Sequence, residues 1–318
     1  MKRSLALIAC LLALFCITVQ PVLAEEKVIS VSQFVEHPSL DAALQGAKDY
    51  FAENGLAVEF KVHNAQANMA TTVQIAAQIL GEQPDLVLAI ATPSAQACAQ
   101  KIRTIPVLAT AVTDFVSAGL VDSIEHPGGN VSGATDMVPV ENQLALVREI
   151  HPELTTLGII YNAGEANSVV QANMMREACK AAGITLEEAT VLNTAGVYQA
   201  AKSLVGRADA VYLPTDNTVV AAMEGVVKVC EQNRLPLYAA DNNSVERGAV
   251  AALALDYYQL GRQTGAMAKR ILFDGADIST MPVENLKNLA VNVNLKAAKA
   301  MGVTLPDSVM NRAERVFK

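Results

Sequence analysis

The chain has 318 residues, with 24 Lys or Arg against 32 Asp or Glu and a formal net charge of −8. That balance excludes the basic footprint of a nucleic-acid or anionic-membrane binder. A chain of this length is expected to split into two domains rather than build one core.

Residues 1–24 read as a leader. Lys2 and Arg3 give a positive start, residues 5–19 are almost wholly apolar, and Val22-Leu23-Ala24 offers small residues for cleavage after Ala24. Gln20-Pro21 stops the apolar run short of the ~20 residues that a membrane helix needs. A lipid anchor on Cys10 or Cys16 fits less well, since Phe15 is bulky and Cys10 leaves a very short apolar core. Without Lys2 and Arg3, 22 basic residues face 32 acidic ones, a net charge of −10. The remaining cysteines, Cys98, Cys179 and Cys230, are odd in number and sit in apolar helical patterns. They read as small buried hydrophobes, neither a disulfide framework nor a metal site.

Two stretches then follow one script. The first opens with a strand over 27–34, the polar loop "VEHPSLD", and a helix carrying Leu40, Leu44, Ala47 and Phe51 on one face, ending at Gly55. The second opens with a strand over 157–161, the loop "NAGEANS", and a helix carrying Val170, Met174, Ala178 and Ala181, ending at Gly183. "PDLVLAIATPSAQA" (84–97) matches "ADAVYLPTDNTVVAA" (208–222), and "IPVLATAVTD" (105–114) matches "LPLYAADNNS" (235–244). Strands alternating with helices mean βαβ units, so the repeat predicts an α/β fold of two similar parallel-sheet lobes. Right-handed crossovers bring the polar loops to one edge of each lobe. In "IATPSA" the strand ends on two hydroxyls, with Thr92 expected as N-cap and Pro93 at the first helical position. The free amides at Ser94 and Ala95, with both hydroxyls, would form an anion site.

The segments "TAVTDFVSAGLV", "HPGGNVSGATD", "YNAGEANS", "LPTDN" and "DYYQLGRQTGAMA" resemble the substrate-binding proteins of a bacterial ABC-importer family that includes receptors for tryptophan and other aromatic amino acids. The resemblance spans essentially all of the chain after the leader. Phe115 departs from it, standing where the family is expected to have proline. The resemblance implies the type I periplasmic-binding fold, with three crossings between lobes that close on a ligand. It also implies a periplasmic monomer without cofactor or metal, working with a membrane permease and an ATPase. The repeat and the resemblance together place the crossings near 133–137, near 240–243 and around 280–282. Lobe one is then expected to comprise 25–135 and 243–281, and lobe two 136–242 and 282–318.

A zwitterionic amino acid needs an anion site and a cation site. Thr92 and Ser94 are the candidates for the carboxylate. Asp241, at the end of a strand beside a crossing, is the candidate for the ammonium, supported by the resemblance. Asp216 is its rival, although an N-cap role already accounts for it, and Asn217 offers an amide from the same turn. Gln33, Asn162, Glu165, Asn167 and Ser168 lie on the first loops of the two lobes and could close over the ligand. Asp136 sits at the first crossing, as a hinge residue or a contact. With no Trp in the chain, an aromatic ligand would stack on Phe34, Tyr161 or Phe115, while Tyr257 and Tyr258 pack the sheet edge. His37, His63, His126 and His151 are scattered and read as surface residues.

The reading is therefore a solute receptor for an amino acid-like ligand, aromatic ones first. Two alternatives stay open: a ligand-sensing ectodomain serving a membrane kinase, and a secreted α/β hydrolase-type enzyme. Against the enzyme, "GGNVSG" lacks the dinucleotide-binding spacing, and no nucleophile elbow or metalloprotease motif occurs.

Overall fold

The computed structural model describes residues 26–318; the leader, with Cys10 and Cys16, lies outside the described residues. From there the elements alternate as the apolar patterning requires. β1 (Lys27–Gln33), α1 (Pro38–Glu53), β2 (Val58–Asn64), α2 (Met69–Glu82), β3 (Leu86–Ile90), α3 (Thr92–Lys101), β4 (Val107–Val112) and β5 (Val131–Thr135) come first. β3, β4 and β5 are buried along their whole length, which is why they read as apolar runs without alternation. α4 (Val140–Ile150) opens a second round of β6 (Thr156–Asn162), α5 (Ala166–Ala182), β7 (Thr185–Val191), α6 (Val197–Ser203), β8 (Ala210–Leu213), α7 (Asn217–Ala221), α8 (Met223–Asn233), β9 (Leu237–Ala239), α9 (Asn242–Glu246) and β10 (Ala251–Ala254). The chain ends with α10 (Tyr257–Leu272), β11 (Glu284–Asn285), β12 (Ala290–Asn294), α11 (Leu295–Met301), α12 (Asp307–Met310) and β13 (Ala313–Phe317). Gly55 and Gly183 follow α1 and α5 with φ of +64° and +72°, left-handed positions that glycine fills without strain.

Among the described residues the strands form two sheets. One runs β11-β5-β4-β3-β1-β2 and is parallel throughout. The other runs β13-β12-β10-β9-β8-β6-β7, parallel except where β12 meets β10. Each has its own core, one built on Val31, Leu88 and Leu108 with Leu260 and Met267, the other on Ile159, Val211 and Leu237 with Val291 and Val293. The buried, unpaired Cys98, Cys179 and Cys230 belong to these cores.

α10 returns to the first lobe and lies along α1 and over β4. A Cβ on Gly261 would stand 1.9 Å from the Ala43 carbonyl oxygen, and one on Gly46 would stand 2.1 Å from that of Tyr258. Only glycine at both positions lets the two helices approach so closely. The Tyr258 hydroxyl then reaches Asp49 at 2.9 Å.

Strand membership puts the passages between the sheets at 136–139, 255–256 and 286–289. The first overlaps the expected 133–137. The second falls later than 240–243, because the short run Ala251–Ala254 pairs with β9 and keeps α9 in the second lobe. The third falls later than 280–282, because β11 pairs with β5. Residues 243–254 therefore go with the second sheet, and 282–285 with the first.

Candidate functional site

The loops after β1, β3, β4 and β5 emerge on one edge of the first lobe, and those after β6, β8 and β9 on one edge of the second. These edges touch. The Ser39 hydroxyl of α1 donates to Asp241 Oδ1 at 2.7 Å, across 202 residues of chain. Thr113 Oγ1, after β4, lies 3.0 Å from Thr215 Oγ1, after β8. The Gln171 amide of α5 donates to that same Thr215 hydroxyl.

Between the edges is a narrow pocket of about 280 Å³, the open space at its mouth included, lined by His37, Ser39, Asp136, Asp216, Asn217, Asp241 and Tyr257 among others. Three lining residues are carboxylates and none is Lys or Arg. Three acids so close together, with no Lys or Arg among the lining residues, suit a cation. Asp136 accepts from the Thr113 hydroxyl at 2.9 Å and the Tyr257 hydroxyl at 2.7 Å, yet burial outweighs both and holds its carboxyl above the usual range. Asp241 caps α9, accepting from Ser244 N at 2.9 Å and from the Ser244 hydroxyl.

Asp216 is occupied differently. Its Oδ1 caps α7 through Val219 N at 2.7 Å, and its Oδ2 accepts from Asn162 N at 2.5 Å. Burial, then the neighbouring Glu165 carboxylate, push its carboxyl up to about 7. Glu165 is fully buried. Its Oε1 accepts from Thr218 N and the Thr218 hydroxyl, and its Oε2 from Asn217 N, the Asn217 amide and the Asn167 amide. The carboxylate plugs the start of α7, so its acceptor capacity is spent inside the lobe.

Thr92 and Ser94 stand at the same edge of the first lobe, beside the end of β4, since Ala91 N donates to Thr110 O at 3.0 Å. Both are buried, and neither hydroxyl has a hydrogen-bond partner among the described residues. The expectation that Thr92 caps its helix is corrected. α3 begins at Thr92 itself, after Ala91 at φ +76°, and no side chain caps it. Ala95 N donates to Ala91 O at 3.0 Å, so the expected free amide there is engaged, and the two hydroxyls are what the start of α3 leaves without a partner among the described residues. They do not line the cavity itself, but α3 meets α5 across the cleft.

The other sequence-predicted residues are placed as follows. Gln33 is tied to Val35 O at 3.0 Å and Asp41 Oδ1 at 2.7 Å. Phe34 and Phe115 are packed inside the first core, and the Tyr161 hydroxyl donates to Glu188 at 2.8 Å; none of the three lines the cavity. Asn162 holds Thr218 Oγ1 at 2.9 Å. The Asn167 amide donates to Thr215 O at 2.8 Å while its Oδ1 is buried without a partner, and Ser168 is fully buried beside Asp216. Sequence reasoning missed His37, which is buried in the cavity rather than on the surface, and Tyr257, which faces Asp136 rather than packing the sheet edge. It also missed Ser39 and the Thr113–Thr215–Gln171 clasp. One signal existed: "AVTD" (111–114) and "LPTD" (213–216) put a Thr-Asp pair after a strand in each lobe.

Residues 28–317 match the family model described as ABC transporter substrate binding protein. The chain belongs to that family. This substrate-binding protein is 39% identical over 281 residues to a tyrosine-binding protein of Clostridioides difficile strain R20291, covering 87% of this chain and 81% of that one. It matches a conserved domain protein of Vibrio cholerae with a TM-score of 0.90 at 40% identity, over 92% of this chain and 100% of that one. Against a Streptococcus pneumoniae ABC domain in complex with L-Trp the TM-score is 0.88 at 32% identity, with the same coverage. Against the ligand-free, open structure of a Clostridium difficile substrate-binding protein with adhesive properties it falls to 0.68 at 38% identity, over 92% and 99% of the two chains. Hydrogen bonds join the two lobes of this substrate-binding protein across the cleft, Ser39 to Asp241 and Thr113 to Thr215.

Proposed function

We propose that this substrate-binding protein captures a free L-amino acid, aromatic ones first, and delivers it to the permease and ATPase of an ABC importer. One observation carries the reading. Unpartnered hydroxyls at a helix start on one lobe, Thr92 and Ser94, are matched by carboxylates without a basic partner in the cleft, Asp136 and Asp241. A zwitterion supplies what each side lacks: its carboxylate accepts from the hydroxyls at the start of α3, and its ammonium donates to Asp241 and Asp136. Asp216 is the weaker candidate for the ammonium, since its oxygens already hold Val219 N and Asn162 N. The tyrosine-binding relative and the L-Trp complex support the aromatic preference. The leader pattern of residues 1–24 supports export to the periplasm.

The test is a thermal-shift screen of the chain from Glu25 with the amino acids, small peptides, sugars and purines. Ligand at 1,000 times its Kd adds about 4 kcal/mol to stability, a clear rise in Tm. A shift from a sugar or nucleoside alone would overturn the reading.

A further inference from the structure

His37 sits between β1 and α1 on extended backbone, and its side chain makes no capping bond to α1. Its ring is buried in the cavity with Asp136, Asp216 and Asp241, and neither Nδ1 nor Nε2 has a hydrogen-bond partner. The Asn217 side chain approaches the ring and favours its charged form, the weakest of the influences on it. Native proteins rarely leave such groups unpaired, because the lost hydration is not recovered. Burial outweighs the nearby Asp241 carboxylate, and Arg247 acts in the same direction as burial, so the ring is neutral. A neutral imidazole presents one donor and one acceptor.

The other polar side chains facing the cavity are engaged. Ser39 donates to Asp241, Tyr257 to Asp136, Thr215 is held by Gln171 and Thr113, and the Asn217 amide donates to Glu165. The α-carboxylate and α-ammonium of an amino acid are matched by Thr92 with Ser94 and by Asp241 with Asp136. His37 is left over, and the backbone of an amino acid has nothing further to offer it.

We infer that His37 reads the ligand's side chain, hydrogen-bonding a polar head group on an aromatic ring, and thereby selects tyrosine and tryptophan over phenylalanine. The inference rests on the amino-acid reading above and adds the specificity. A phenol can meet either ring nitrogen, as donor or acceptor. An indole N–H can meet only the acceptor, and a phenyl ring meets neither and strands a buried nitrogen.

The test is calorimetric titration of L-tyrosine, L-tryptophan and L-phenylalanine into the wild type, His37→Leu and His37→Gln. The wild type should bind tyrosine at least about tenfold more tightly than phenylalanine, the effect of one buried hydrogen bond with its unpaired alternative. His37→Leu should bring that ratio within about threefold, and His37→Gln, which keeps a donor and an acceptor, should retain much of it. A wild type that binds phenylalanine as tightly as tyrosine overturns the inference without any variant, so a folding failure of His37→Leu cannot shield it. Discrimination that survives in His37→Leu overturns it as well. Failure of every amino acid to bind is a separate outcome and removes the amino-acid reading itself.

Discussion

Replacing Ser94 by Ala should move stability and binding in opposite directions. The Ser94 hydroxyl is buried without a partner, and leaving such a group unsatisfied costs about 1–3 kcal/mol. Alanine removes that cost. Opening of the lobes hydrates the hydroxyl, so the measured gain in the unliganded protein should lie near 1 kcal/mol, or roughly 2–3 °C in Tm for a chain of this size. With ligand the sign reverses. The hydroxyl then donates to a carboxylate, a bond worth about 1.5–3 kcal/mol, so affinity should fall about 10- to 150-fold. Scanning calorimetry of the unliganded variant, paired with titration of L-tyrosine and L-tryptophan, reads both effects. A lower Tm with unchanged affinity would show that the hydroxyl serves the fold, and the anion site would have to be sought elsewhere.

Asp241→Asn keeps an oxygen for Ser244 N, so unliganded stability should change by less than about 1 kcal/mol, whereas affinity should fall about 10- to 150-fold. Small-angle scattering should show that the variant also loses ligand-induced compaction; wild-type compaction with wild-type affinity would remove Asp241 from the site. Glu165→Gln turns an amide toward the donors of Asn217 and Thr218 and should cost at least about 2 kcal/mol by denaturant unfolding. An unfolding midpoint equal to wild type would contradict the plug at the start of α7. Burial lowers His37 from 6.5 to about 4, so the folded chain releases a proton that the unfolded chain keeps between those values. Its contribution is full above pH 6.5 and is lost as pH falls through about 4. The Tm of wild type relative to His37→Gln should decline across that window, and a constant difference would refute the buried neutral ring.

The parallel sheets were legible because buried strands such as Leu86–Ile90 have no polar break, and because the script repeats across the two lobes. Crossover handedness then puts the polar loops after these strands on one edge of each lobe. The second crossing was not legible, since β10 is only a four-residue apolar run and "LPLYAADNNS" already looked like the end of a lobe. Asp256 was the overlooked signal, for it caps α10 through Tyr258 N at 2.8 Å and marks where the chain turns back. His37 looked like a surface residue because what buries it, the Asp216 and Asp241 turns, arrives from the other lobe. Glu165 looked like a rim residue because its donors lie 52 and 53 residues further on. Phe34 and Phe115 flank polar loops in sequence, but the first core absorbs them. Pattern reports which face of an element is apolar; it does not report what another segment will cover.

The glycine-lined contact between α1 and α10 has a consequence for the order in which the protein can be built. Tyr258 reaches Asp49 across 209 residues of chain, so the first lobe waits for a helix made long after its own strands. The second lobe waits longer, because β12 and β13 are what cover the flank of β10. A chain released before Ala290 would expose β10 as an open sheet edge, a template for pairing with other chains. The first core closes only once α10 is made and the second only once β12 and β13 are, and loop-closure entropy over such distances slows both steps. Each lobe therefore draws on segments made well after its first strands, and the second lobe is the last to complete its sheet.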